Sequence, residues 1–172
     1  MQLTKEKRNI LLGLDLDTLT LYSIYLLSFL IPLVIGHPQL LVGSAINFII
    51  IFSTLRYGFK KSVPVLLTPS LVATGTGLLF GSATLFLLYL MPFIMISNVI
   101  LSYTISKQSN VLGILTGIFL KVVFLYSFTL LLINSIGLPN IFLTSMGLLQ
   151  LYTALIGGSI ALGLFLLTTQ KK

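Results

Sequence analysis

The chain has 172 residues, of which 56% are hydrophobic and 8% charged, with ten Lys+Arg against three Asp+Glu and a mean hydropathy of +1.11. A water-soluble domain of this length needs far more charged surface, so the composition points to an integral membrane protein; its net charge of +7 reads as a topology signal and a contact with anionic membrane lipid, not as a nucleic-acid footprint. With no cysteine present, disulfides, thiolate metal sites and thiol nucleophiles are excluded.

Residues 1–17 carry a basic front end but no small-residue cleavage site, and read as a cytoplasmic amphipathic lead-in, with Asp17 as a local N-terminal cap for the first helix. Six apolar segments follow: Thr20 to Gly36, Leu40 to Leu55, Val63 to Phe80, Thr84 to Ile105, Val111 to Ile133 and Ile141 to Thr168. Each approaches or exceeds the roughly 17 to 25 residues that a membrane-crossing helix needs. The connections "GHPQ", "RYGFKKS", "GSA", "SKQSN" and "NSIGLPN" have turn compositions. The stretch "SVPVLLTPSLVATGTGLLFG" around the third segment holds Pro64 and Pro69 and three glycines, so an unbroken helix is not expected there. The fold class expected is all-α: one domain over 1–172, six transmembrane helices, a multi-pass protein of the cell membrane. With the N-terminus cytoplasmic, the inner side holds Lys5, Lys7, Arg8, Arg56, Lys60, Lys61, Lys107, Lys171 and Lys172, and the outer loops hold no Lys or Arg. An even number of crossings then places both termini in the cytoplasm.

The remaining cation, Lys121, falls inside the apolar segment "GILTGIFLKVVFLYSF". Gly113, Gly117 and Lys121 are four apart, a stripe continued by Leu125 and Phe128, so the lysine shares a small-residue face that should look into the bundle. It lies about ten residues from the inner end of its helix, roughly 15 Å deep. A lysine there costs at least roughly 2.5 to 3.5 kcal/mol. The only acids, Glu6, Asp15 and Asp17, are in the leading segment. Four readings stand: a hydrated cavity, hydroxyls and backbone carbonyls, a neutral amine, or an anionic group on a ligand or partner chain; a purely structural lysine is the competing view.

Asn47, on a stripe with Gly43, Ile50 and Thr54, reaches nearly the level of Lys121. Asn98 lies with Met91, Met95 and Ser102 beyond Pro92, toward the cytoplasmic half, and Gln150, Thr153, Gly157 and Ala161 share a small, polar face of the last segment. Each amide alone is ordinary interhelical glue; beside a lysine the set suggests a pocket. Thr76, in "TGTG", belongs either to a lip over an outward site or to a frayed helix end, and Tyr126 and Tyr152 either wall a pocket or anchor at the interface. The candidate substrate-binding residues are Lys121, Asn47, Asn98, Thr76, Tyr126 and Gln150. No catalytic residue, metal ligand or cofactor is expected: His37 is the sole histidine and no phosphate-binding "GxxxxGK[ST]" occurs. A non-enzymatic binding subunit that draws on another protein's ATP fits these absences; a structural or assembly subunit, with Lys121 meeting another chain's acid, is the alternative.

The run "VGSAINFIIIFSTLRYGFKKSVPVLLTPSLVATGTGLLFG", then "YLMPFIMISNVILSY", then "GILTGIFLKVVFLY" resembles the substrate-binding S components of energy-coupling factor (ECF) transporters, in particular the branch labelled iron-hydrogenase-like membrane proteins. The resemblance covers roughly residues 39 to 128, with "MPFIMISN" and the Gly117 to Lys121 pattern its most specific pieces. It implies a compact six-helix protein that captures a vitamin-like, carboxylate-bearing or otherwise anionic small molecule outside the cell and topples when docked to a transmembrane coupling protein driven by ATPase subunits. By that analogy Lys121, Asn47 and Asn98 lie near the substrate. The first predicted helix carries no alanine, and so lacks the "AxxxA" docking motif of many family members.

Overall fold

The computed structural model describes residues 15–169, and only the backbone of residues 81 and 82. The expected lead-in therefore lies outside the described residues except for Asp15, Leu16 and Asp17. The chain forms helices α1 (Leu16–Val34), α2 (Gln39–Thr76), a 3-10 helix (Gly81–Phe86), α3 (Leu87–Lys107), α4 (Val111–Ile136), the short α5 (Ile141–Met146) and α6 (Leu148–Thr169), with no strand among the described residues. Five stretches are long and apolar enough to cross a membrane: Leu16–Val34, Gln39–Thr76, Ala83–Lys107, Val111–Ile136 and Ile141–Thr169.

The difference from the six expected segments lies at Gly58. The expected seven-residue turn "RYGFKKS" is helical on both sides, and the helical geometry fails at Gly58 alone, with φ 78° and ψ 172°. Only glycine adopts that conformation readily. Hydrogen bonds show that the chain doubles back there. Lys121 donates to both Asn47 and Asn98, and Asn98 donates to the carbonyl of Leu66. Residues 47 and 66 therefore lie at one level, whereas nineteen residues of straight helix would separate them by about 28 Å. α2 is thus two arms, 39–57 and 59–76.

Contrary to expectation, the second arm is continuous through Pro64 and Pro69 and ends at Gly77, a left-handed cap with φ 70°. Each proline removes an N–H from the helix ladder, leaving Lys60 and Val65 carbonyls without that donor. Outside donors bond the very next carbonyls. Tyr25 of α1 donates its hydroxyl to Lys61 O at 2.5 Å, and Asn98 of α3 donates to Leu66 O at 3.1 Å.

α2 is the hub of the bundle, packed against α1, α3 and α6, while α4 bridges α3 and α6. The tightest seam is between α6 and the first arm. A Cβ on Gly157 would stand 2.5 Å from Phe48 N and 2.6 Å from Ser44 O, so the absent side chain is what lets the two backbones touch. Gly117 likewise admits Leu101 of α3. Gly113 has a different role from the one its spacing suggests. Its missing Cβ makes room for the Gln108 carbonyl of its own turn, and its N–H is capped by Asn110 Oδ1 at 2.8 Å.

Apart from Lys121, the cations and anions among the described residues collect at one end. α1 begins earlier than expected, with Asp15 as the flanking residue, and Asp17 forms a salt bridge with Arg56 beside the Gly58 break instead of capping the helix. Phe59 meets Tyr103 edge-on at 5.8 Å, which brings Lys107 to this end as well. At the opposite end Gly36 lies against Leu78, and Phe80 against Phe142 at 4.8 Å. Among the described residues that end has no Lys or Arg.

Gly58→Ala is expected to lower stability by about 1–3 kcal/mol, measured as thermal unfolding of the purified protein in detergent. Gly163→Ala, where a Cβ meets nothing within 4 Å, is the control and should leave the midpoint unchanged or slightly raised.

Candidate functional site

Lys121 is fixed to the bundle interior by its register on α4. The buried face of that helix runs Gly113, Ile114, Gly117, Ile118, Lys121, Leu125 and Thr129. Phe128, expected on this stripe, turns instead to stack on Phe93 at 4.6 Å. With 2% of its surface exposed, Lys121 has no route to a headgroup layer.

Its partners are two side-chain amides. The Nζ atom donates to Asn47 Oδ1 at 2.6 Å and to Asn98 Oδ1 at 2.9 Å. Both oxygens are presented to the lysine because both NH2 groups are engaged elsewhere. Asn47 Nδ2 donates to Gly43 O at 2.9 Å and to Thr153 Oγ1 at 3.1 Å, and Asn98 Nδ2 holds Leu66 O. Thr153 in turn donates to Gln150 O at 3.1 Å. One polar layer thus ties α4, both arms of α2, α3 and α6 at a single level. In its ammonium form, with three N–H groups, Lys121 keeps one donor beyond these two bonds.

Lys121 also borders a hollow. A cavity of about 90 Å³ is lined by Lys121, Asn47, Asn98, Thr153, Gln150 and Ser70 among apolar neighbours such as Val42, Ile94 and Met146. Gln39 and Leu79 at its rim show that it extends from the lysine layer toward the end without Lys or Arg. Two polar atoms facing this region, Ser70 Oγ and Gln150 Oε1, are buried without a hydrogen-bond partner. Buried polar atoms left unpaired in a native fold are rare and costly.

Four of the six candidate residues, Lys121, Asn47, Asn98 and Gln150, converge on this cavity; Asn98, expected deeper, lies in the lysine layer. Thr76 does not line it. Its hydroxyl bonds back to Ala73 O at 3.3 Å, and the turn beyond is tied by Thr84 Oγ1 to Gly77 O at 2.9 Å. The "TGTG" segment is therefore an anchored helix end. Tyr126 is also absent from the lining. It is 44% exposed, with its ring edge against the bare Cα of Gly147, because five residues beyond Lys121 the helix has turned it to the outer face. Sequence reasoning missed Ser70, although the buried run Ser62, Leu66, Pro69, Ser70 and Ala73 places it on the inward face at helical spacing.

Comparison of the chain with protein-family models, with curated proteins and with solved structures gives no match.

The amide clamp predicts strong coupling. In a double-mutant cycle of Lys121→Met and Asn98→Leu, each single change orphans the other's polar group, and the interaction energy read from thermal unfolding should be about 1–3 kcal/mol. Additive losses would show that the bond is not made.

Proposed function

We propose that this chain is the substrate-binding integral membrane subunit of an ECF-type uptake transporter, binding a small vitamin-like molecule with a carboxylate or other anionic group. The observation that carries this reading is the buried Lys121 amine, held by two neutral amides and bordering a hollow. Its contacts satisfy hydrogen bonds without supplying a negative charge, so a guest anion completes the site. The walls are mostly apolar with a few convergent polar groups, the usual make-up of a small-molecule pocket.

In the proposed topology the two arms of α2 cross separately. At 1.5 Å per residue each is about 27–28 Å long, close to the hydrocarbon thickness. Six crossings then put both termini and the cations near Gly58 and Lys107 in the cytoplasm, and the cavity mouth outside. The cell membrane is the location, and the chain performs no catalysis and carries no cofactor. A transmembrane coupling protein and ATPase subunits are the partners that supply energy, since no phosphate-binding motif is present in the sequence. The alternative assembly role, with Lys121 meeting an acid on another chain, is disfavoured by the 2% exposure of that residue.

Native mass spectrometry of the protein released from lipid nanodiscs tests the reading. Wild type is expected to carry a small molecule that Lys121→Met lacks, with circular dichroism checking that the variant is folded. A stoichiometric protein partner with no small molecule would overturn it in favour of the assembly role.

The cysteine-free sequence gives a second check. In intact cells, Ser70→Cys should react with a small charged thiosulfonate added outside, and Lys107→Cys only after permeabilisation. The reverse pattern would put the mouth in the cytoplasm and exclude capture from outside.

A further inference from the structure

The polar capacity of the cavity is arranged in two tiers. The floor is the layer of Lys121, Asn47, Asn98 and Thr153. On the second arm of α2, Ser70 follows Leu66, the floor-level carbonyl that accepts from Asn98, by four residues. On α6, Gln150 precedes Thr153 by three. Both steps lead toward the end without cations, so Ser70 Oγ and Gln150 Oε1 sit about one helical turn, roughly 5 Å, above the floor on different helices. These are the two cavity-lining atoms buried without a partner. Ser70 is only 5% exposed.

A bare anion leaves this second tier unmet. The Gln150 oxygen accepts and cannot donate, so it demands an N–H or O–H from whatever fills the cavity. We propose that the ligand is a compact, flat acid whose carboxylate meets Lys121 and whose ring presents a hydrogen-bond donor to Gln150 Oε1, with the Ser70 hydroxyl as a second polar contact. Gln150 is then the residue that selects among anions. The inference rests on the binding reading above and adds to it the donor requirement. The cavity volume of about 90 Å³ limits the bound part to something near a single ring.

Two ring acids of nearly equal shape test it: pyrrole-2-carboxylate, with a ring N–H beside the carboxylate, and furan-2-carboxylate, with a ring oxygen there. Isothermal titration calorimetry of the wild-type protein in nanodiscs should show the pyrrole acid binding at least about tenfold more tightly, because the furan leaves the Gln150 acceptor facing another acceptor. Gln150→Leu should bring the ratio close to one. Gln150→Glu keeps an acceptor and should retain the preference while weakening both acids, and so separates lost selectivity from a damaged fold. Lys121→Met should weaken both acids and leave their ratio intact. Equal affinities in wild type would overturn the donor requirement and leave the anion reading standing. No binding of either acid would overturn both.

Discussion

The Lys121 amine is shared between Asn47 and Asn98, at 2.6 and 2.9 Å, and the arrangement of the bundle depends on that sharing. A buried cation at mid-bundle is tolerated only where its N–H groups find acceptors. Here the two acceptors come from α2 and α3, while the donor comes from α4. Their relative heights are therefore set: a shift of one residue, about 1.5 Å along any of these axes, would lengthen at least one bond beyond use. The second halves of the amides carry the constraint outward to Thr153 on α6 and Leu66 on the second arm. Five helical segments are registered by one layer of polar groups, and a network of this kind specifies a single packing more sharply than apolar contacts do.

Such a layer forms only if the helices come close enough. In an apolar solvent the hydrophobic effect does not drive helices together, so close approach must come from shape. Gly157 supplies it on α6, where backbone atoms of Ser44 and Phe48 occupy the space of a side chain, and Gly43 does so for Thr153. Gly58 acts differently, since no neighbour crowds it and its importance is conformational. By reversing the chain within one residue, it sets Leu66 at the height of Asn47. The small residues and the polar residues are thus complementary: the first permit the distances that the second require.

This division explains what could be read in advance. Lys121 was legible because one charge in an apolar helix stands out and its spacing to Gly117 sets its face. Asn47 could be levelled with it by counting residues from the presumed helix ends. Asn98, placed deeper by the same count, lies in the same layer, because α3 runs on to Lys107, two residues past the presumed end at Ile105, which sets Asn98 about as far from the inner end of its helix as Lys121 is from the start of α4 at Val111. A reversal within "RYGFKKS" could be placed from its turn composition but not its confinement to Gly58, and Ser70 was harder still. The serine sits between two prolines and a glycine-rich tail that suggested a broken helix, and only the donors from Tyr25 and Asn98 show how the strand of carbonyls is satisfied. Thr76 and Tyr126 failed for opposite reasons. The threonine is on a capped end tied by Thr84, and the tyrosine is rotated off the buried stripe.

Why two amides should hold the lysine, where one carboxylate would cancel its charge, bears on what the site does. A carboxylate at 2.6 Å would form a complete ion pair, and a guest anion would then meet a neutral site with the added repulsion of a fixed negative group. Amide oxygens satisfy the direction of two N–H bonds with partial charges only. As an ammonium group, Lys121 is thus oriented but not neutralised, and its third N–H remains for a ligand. The chain has no acid beyond Asp17, so none of helices α2 to α6 can supply a carboxylate to the site. The absence of acids from α2 to α6 leaves two amides as the groups that hold Lys121 beside the cavity, and on the proposed reading the negative charge comes with the guest.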